Sequence, residues 1–177
     1  MQQPIRLIVE GHDGAGKTTI CKVLSNKINV PIYKCSKEKT ALHFLNKAEN
    51  IKLSILKWEI PGQLDLIEQC NASVIYDRFF PSEYAYARTL DRQTDDELVF
   101  EYDAWWNRLG GKIVFLYKQD CFIEDDELIP STLFDDIKNE YVNYSMLTAC
   151  DTLFLDTTDQ DLDKQLEKII RFLNQES

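Results

Sequence analysis

Histidine is scarce in this sequence, which has only His12 and His43. A zinc centre needs three or four His, Cys or carboxylate ligands at close spacing. The five cysteines, Cys21, Cys35, Cys70, Cys121 and Cys150, include no Cys-x-x-Cys pair. Neither a zinc site nor a disulfide framework is expected, and the thiols read as reduced and mostly buried, as in a cytoplasmic protein. No apolar run approaches the roughly 18 residues of a membrane span, so no membrane partner is expected. The opening MQQPIRLIVEG lacks the basic region and long apolar core of a signal peptide and reads as a strand. Positive charge is short as well. Twenty lysines and arginines face thirty aspartates and glutamates, for a formal net charge of −10. Such a chain lacks the basic surface that neutralises duplex nucleic acid. A small anionic ligand remains compatible, because a few local donors override the global field. Glycine is rare too, yet three of the six glycines crowd into residues 11–16.

The 177 residues, 44% of them hydrophobic, suffice for one domain with a core, here read as residues 1–177. Apolar runs alternate with amphipathic stretches. IRLIVE, VPIYKC, SVIYD, KIVFLY and TLFLDT read as five strands. Helices are expected at 16–28, across most of 38–70 with a break near Pro61-Gly62, at 81–90, 94–109, 131–148 and 160–174. Strands separated by helices imply a three-layer α/β fold, with a five-stranded parallel sheet covered by helices on both faces.

Residues 11–18 read G-H-D-G-A-G-K-T and fit G-x-x-x-x-G-K-[ST] completely. Glycines at these positions let the backbone curl with its N–H groups turned inward, an anion cradle. Lys17 is placed to reach the β- and γ-phosphates of a nucleoside triphosphate, and the Thr18 hydroxyl to coordinate Mg²⁺. The loop follows a strand and opens a helix, the context this chemistry needs. The ATP-binding set is therefore Gly11, His12, Asp13, Gly14, Ala15, Gly16, Lys17, Thr18 and Thr19. A switch GTPase would carry a further Asp-x-x-Gly and an Asn-Lys-x-Asp; neither occurs, and Asn46-Lys47-Ala48-Glu49 lacks the final aspartate. A second stretch, VIYDRFFPSEYAYAR at 74–88, ends a buried strand on Asp77 and Arg78. There a carboxylate can reach the Mg²⁺ shell and an arginine can fork onto a phosphate. A plain surface turn is the other reading of that pair.

Together the two stretches resemble the thymidylate kinases, P-loop nucleoside monophosphate kinases with E-G-x-D-G-x-G-K-[ST]-T and D-R-[YF]-x-x-S-x-x-A-Y motifs. Here they read EGHDGAGKTT (10–19) and DRFFPSEYAY (77–86), and FDDIKNEYVNY (134–144) looks like the family's helix after its lid. The resemblance implies a P-loop kinase fold that phosphorylates a deoxynucleoside 5′-monophosphate of dTMP type, with ATP as donor and Mg²⁺ as cofactor. It implies that Asp13 lies near the acceptor sugar, that Arg78 holds the acceptor phosphate, and that Asp77 serves Mg²⁺ with Thr18. Glu10 would face the reaction centre. Ser82 and Tyr86 would line the acceptor pocket, helix packing being the equal alternative, and Phe79 and Phe80 would be shared between core and pocket wall. The family often dimerises through helices, and Trp105 and Trp106 are candidates for such a contact, although neighbouring helical positions point about 100° apart.

The sequence also departs from that pattern. Phosphoryl transfer is catalysed mainly by cations around the moving group. The family supplies arginines from a lid or from the loop. Here the lid stretch KQDCFIEDDELIP (118–130) holds one lysine and five acidic residues, with Glu127 about where an arginine is expected. The family's R-E-P-G after the second strand is replaced by CSKEKT (35–40), and Lys57 is the nearest basic residue to the acceptor arginine's place. Of six arginines, Arg78, Arg88 and Arg92 fall near the site. Either Arg88 or Arg92 could supply the missing charge, and Arg88 is the expected source. The other reading pairs both with Asp91, Asp95 or Asp96 in solvent, and it applies to Arg92 at least as well. A small, acidic, lid-poor chain resembles phage-encoded members of the family. Two other readings stay open: a kinase acting on a deoxynucleoside or a modified pyrimidine nucleotide, and a nucleotide-binding protein with little catalysis.

Overall fold

A computed structural model of the chain describes residues 3–34, 55–119, 131–159 and 161–175. Cys35, Cys121, His43, the 35–40 segment, the helical expectation for 38–54 and all of the lid stretch beyond Gln119 lie outside the described residues. Five strands form one parallel sheet in the order β2-β3-β1-β4-β5. They are β1 Arg6–Gly11, β2 Ile32–Tyr33, β3 Val74–Asp77, β4 Lys112–Tyr117 and β5 Asp151–Asp156. Among the described residues the helices are α1 Lys17–Ile28, α2 Ile60–Cys70, α3 Phe80–Thr89, α4 Asp96–Arg108, α5 Phe134–Leu147 and α6 Leu162–Leu173. A π-helical turn, Ile55–Glu59, leads into α2, and a 3₁₀ turn, Ser131–Leu133, leads into α5.

The pleat of β1 sorts the molecule into two layers. Leu7 and Val9 pack with Ile20, Leu24, Val114, Leu166 and Ile169, against α1 and α6. Ile8 points the other way, into a cluster with Tyr76, Phe80, Trp106, Tyr141 and Tyr144. Period-2 alternation therefore assigns each residue at the strand ends to one face. Glu10 shares the face of Ile8. Asp77, two residues beyond Ile75, shares the face of α1. Since β1 is flanked by β3 and β4, the carboxyl ends of β1 and β3 lie together where the strand order reverses, the crevice where open α/β sheets bind ligands.

The second helical region changes where Pro61-Gly62 was expected to interrupt it: the π-helical turn ends at Glu59 and α2 begins at Ile60, with Pro61 in its first turn. One expectation is corrected. Trp106 is not available for a dimer contact. It is fully buried, donates from Nε1 to the Lys112 carbonyl at 3.4 Å, and packs edge-on to Tyr76. Trp105, about 100° round the helix, is half-buried, with Nε1 bonded to Glu68 at 2.8 Å. Among the described residues, Cys21 and Cys150 are free, buried thiols and Cys70 is a free, exposed one.

Gly11 closes β1 at φ 145°, and a Cβ there would lie 2.2 Å from the Leu116 carbonyl oxygen of β4. Gly62, in contrast, has open space where its Cβ would be. Gly11→Ala is expected to lower unfolding free energy by more than about 2 kcal/mol, while Gly62→Ala raises it by about 0.5 kcal/mol. Urea denaturation of both variants checks this; a stable Gly11→Ala protein would contradict the close approach of β1 to β4.

Candidate active site

The loop between β1 and α1 curls through two glycines in the left-handed region, Gly14 at φ 77° and Gly16 at φ 86°. No side chain caps the N-terminus of α1. A 12-residue helix thus presents its first-turn N–H groups and dipole to the loop, which suits an anion. Lys17 lies inside this curl. Its ammonium is buried and donates to the His12 carbonyl at 2.6 Å. Burial, aided by the charge of Arg78, pushes the Lys17 pKa down to about 7 against the opposing pull of Asp13, Glu10 and Asp77.

His12 braces the loop from beneath. It is almost fully buried and stacks on Phe134 of α5 at 5.0 Å. Its Nε2 accepts the Lys118 N–H at 3.0 Å, so Nδ1 carries the proton and donates to the Asp13 carbonyl at 2.7 Å. Burial lowers the His12 pKa, favouring that neutral form. Thr157, just past β5, donates its hydroxyl to the Ala15 carbonyl at 3.0 Å or to the Tyr117 carbonyl at 3.1 Å.

Across the crevice, Thr18 donates its hydroxyl to Asp77 Oδ2 at 2.7 Å. Asp77 is 3% exposed, and its Oδ1 has no hydrogen-bond partner among the described residues. Thr18 and Asp77, expected as metal ligands from separate motifs, are therefore adjacent. Lys34 also enters here, its ammonium paired with Asp77 Oδ2 and 3.1 Å from Thr18 Oγ1. No sequence signal singled it out, since it is the lone lysine of an ordinary-looking strand, VPIYKC.

Arg78 adopts φ +70°, a left-handed conformation that costs a non-glycine residue free energy. Its N–H bonds the Val9 carbonyl at 3.0 Å, and the next amide, Phe79 N–H, bonds Glu10 Oε1 at 2.8 Å. These two bonds hold the turn. Its guanidinium pairs with Asp13 and lies over the Tyr86 ring, 4.7 Å from the centroid. Tyr86 is buried, and its hydroxyl has no hydrogen-bond partner among the described residues.

Glu10 is fully buried and faces the interior. Besides Phe79 N–H it accepts the Ser82 hydroxyl at 2.6 Å and the Tyr141 hydroxyl at 2.9 Å. Burial raises its pKa, and the charge of Arg78 and these three bonds oppose the rise. The Ser82 hydroxyl is thereby engaged in the α3–α5 interior. Phe79 and Phe80 are both buried, stacked into the aromatic cluster around Tyr76 and Tyr102.

The remaining cations are arranged otherwise than expected. Arg88 is not turned inward: its side chain is 46% exposed, pairs with Asp96 and lies over Tyr84 at 4.5 Å. It is Arg88 that takes Asp96, because the N-terminus of α4 returns beside the end of α3. Arg92 is half-buried, and its Nε and Nη2 have no hydrogen-bond partner among the described residues. Lys57 stands 4.0 Å from Asp95 on the π-helical turn. Sequence reasoning also passed over Tyr141 and Thr157. Tyr141 had a signal, its place in the 134–144 resemblance; Thr157 had none.

No family model matches the sequence, and no curated protein matches it. Solved structures do match. The YorR protein of Bacillus subtilis, in complex with phosphorylated GDP, superposes with a TM-score of 0.67 at 22% identity, covering 95% of each chain. Thymidylate kinase of Candida albicans gives 0.66 at 16% identity, over 97% of this chain and 91% of that one. Deoxyadenosine kinase of M. mycoides, with dCMP and dCDP bound, gives 0.61 at 15% identity, over 96% and 99%. The fold is thus that of the thymidylate-kinase-like nucleotide kinases, as the two motifs implied.

Two outcomes follow from this geometry. A polyphosphate beside Lys17 would restore its proton, so nucleotide binding at pH 8 is expected to take up a proton in part, and affinity to fall as pH rises above about 7. Calorimetry of ADP binding in buffers of different ionisation enthalpy measures the uptake, which Lys17→Met abolishes. Arg78→Gly is expected to be more stable to urea than Arg78→Ala by about 1 kcal/mol, because both remove the side chain and only glycine relaxes the backbone. Equal stabilities would show that the turn carries no strain.

Proposed function

We propose that this chain is a nucleoside monophosphate kinase of thymidylate-kinase type, acting on a deoxynucleoside 5′-monophosphate with ATP as donor. The observation that carries the reading is convergence. Lys17 and Thr18 open α1, Asp77 ends β3 with the strained Arg78 after it, and the two stretches meet at the carboxyl ends of β1 and β3. The likeness to thymidylate and deoxyadenosine kinases and to a protein solved with phosphorylated GDP supports a nucleotide substrate.

In this reading the loop amides and Lys17 hold the donor's β- and γ-phosphates, and Arg78 holds the acceptor's 5′-phosphate. An acceptor phosphate oxygen then attacks the γ-phosphorus, the bond to the β–γ bridging oxygen breaks, and ADP leaves. Lys17 and the uncapped end of α1 stabilise charge on the transferred oxygens. Mg²⁺ fits the donors present: a hydroxyl and a carboxylate whose Oδ1 is unpartnered, both hard oxygen ligands. Among the described residues no three His, Cys, Asp or Glu side chains converge to hold a metal. The ion would therefore be shared with phosphate oxygens, whose negative charge it offsets. Glu10, Ser82 and Tyr141 would act by placing Arg78, and Asp13 by steering its guanidinium. Tyr86 would offer its hydroxyl to the acceptor.

One observation favours a second acceptor class. Arg78 is already paired with Asp13, an arrangement that a nucleoside without a 5′-phosphate would leave intact. The decisive measurement is ADP release with ATP, Mg²⁺ and a panel of deoxynucleosides and their monophosphates, in wild type and Arg78→Ala. For a monophosphate kinase, Arg78→Ala is expected to lower kcat/KM at least about a hundredfold for the nucleotide and far less for the nucleoside. An equal loss on both would remove Arg78 from the acceptor phosphate. No ADP release with any acceptor would leave a nucleotide-binding protein.

A further inference from the structure

Lys34 follows β2 directly. In the parallel register Ile32 faces Ile75 and Tyr33 faces Tyr76, so the next step brings Lys34 beside Asp77. Its ammonium contacts Asp77 Oδ2 and lies 3.1 Å from Thr18 Oγ1, bonded to both members of the pair that would hold a divalent cation. Asp77 is nearly fully buried and Lys34 is a third exposed, so the charge enters the site from the solvent side. Lys34 already engages Thr18 Oγ1 and Asp77 Oδ2, and Asp77 Oδ1 is the pair's one oxygen unpartnered among the described residues. An ammonium nitrogen sits about 2.7–3.2 Å from its oxygen partners, whereas Mg²⁺ sits about 2.0–2.1 Å from its ligands. An ion bound to Thr18 and Asp77 would therefore displace Lys34 from its present place, and the two positive charges would repel.

We propose that Lys34 is a built-in cation that competes with the divalent metal for Thr18 and Asp77 and, in its absence, supplies positive charge to a bound polyphosphate. The inference rests on the reading of the loop as a nucleotide site and deepens it. Two of the ammonium's three N–H donors are accounted for by Asp77 and Thr18, leaving one for a phosphate oxygen. Lys34 would thereby supply part of the charge that the acidic 118–130 stretch does not. Because the lysine hangs from an edge strand with both residues exposed, it can move without disturbing the core.

Competition has a signature that structural damage lacks, since removing Lys34 changes two affinities in opposite directions. Lys34→Met is expected to weaken ADP binding in EDTA by about tenfold, through loss of a charged hydrogen bond. The same substitution is expected to tighten Mn²⁺ binding to the protein–ADP complex by about tenfold, read by the paramagnetic resonance of free Mn²⁺. Lys34→Arg retains ADP affinity in EDTA. Mn²⁺ affinity that is unchanged or weakened in Lys34→Met, or ADP affinity in EDTA that is unchanged, overturns the proposal. If wild type fails to bind ADP under either condition, the nucleotide reading of the loop falls and takes this proposal with it. If ADP binds and the metal affinities coincide, this proposal falls and the nucleotide reading of the loop stands.

Discussion

The crevice depends on one buried carboxylate. Glu10 stands at the end of the central strand with no exposure to solvent, and removing a charge from water that completely is costly unless hydrogen bonds replace the hydration. Three donors do so, and each belongs to a different part of the site: the Phe79 amide after β3, the Ser82 hydroxyl in the first turn of α3, and the Tyr141 hydroxyl on α5. The Phe79 bond and the neighbouring Arg78–Val9 bond grip two successive amides. That grip holds Arg78 in a left-handed conformation and sends its guanidinium toward Asp13 rather than into the sheet. Deleting the carboxylate would orphan the Phe79 amide, leave the Ser82 and Tyr141 hydroxyls only each other at 3.2 Å, and release the turn that aims the arginine.

Charge is balanced locally even though the chain is strongly acidic. Lys17, Lys34 and Arg78 face Asp13, Asp77 and Glu10 within the crevice. With every group ionised these charges cancel, and burial that draws the proton from Lys17 leaves no net positive field for a polyanion. A bound polyphosphate would have to gain its stabilisation from rearranged partners: Lys17 regaining its proton, Arg78 leaving Asp13, and a cation meeting the phosphates at Thr18 and Asp77. Low dielectric makes each pairing strong and each exchange consequential. The loop's rigidity is secured from elsewhere, by His12 against Phe134 and Lys118 and by Thr157 beneath Ala15.

Much of this arrangement was legible before the structure. Alternation of apolar runs with amphipathic stretches defines the five strands and the helices between them, because burial on both faces of a parallel sheet demands that pattern. The spacing of Gly11, Gly14 and Gly16 before Lys17 and Thr18 encodes the curl of the loop between β1 and α1 locally. The adjacency of Thr18 and Asp77 was implied by two motifs in sequence, since each residue belongs to a short local element with a fixed place in the sheet. Arg88 and Arg92 show where such reasoning stops. Their spacing puts them four residues apart on one helical face, but α3 ends at Thr89 and Arg92 lies beyond it. Their partners are set by where α4 returns in space, and Asp96 meets Arg88 while Arg92 keeps two unpartnered nitrogens.

By itself, the sequence determined what depends on neighbours along the chain: the strand–loop–helix unit, the left-handed glycines, the period that puts Ile8 and Glu10 on one face and Leu7 and Val9 on the other, and the proline in the first turn of α2. Only the tertiary structure decided what depends on separations of tens of residues. Glu10 turning to Tyr141, Thr157 supporting Ala15, and Lys34 standing between Thr18 and Asp77 are contacts across 131, 142 and up to 43 positions. Each depends on the parallel register and the crossovers that bring strand ends together. Local propensity carries no record of which lysine at a strand end will face which carboxylate, because that is settled by the strand order and by the low dielectric of the crevice those strands enclose.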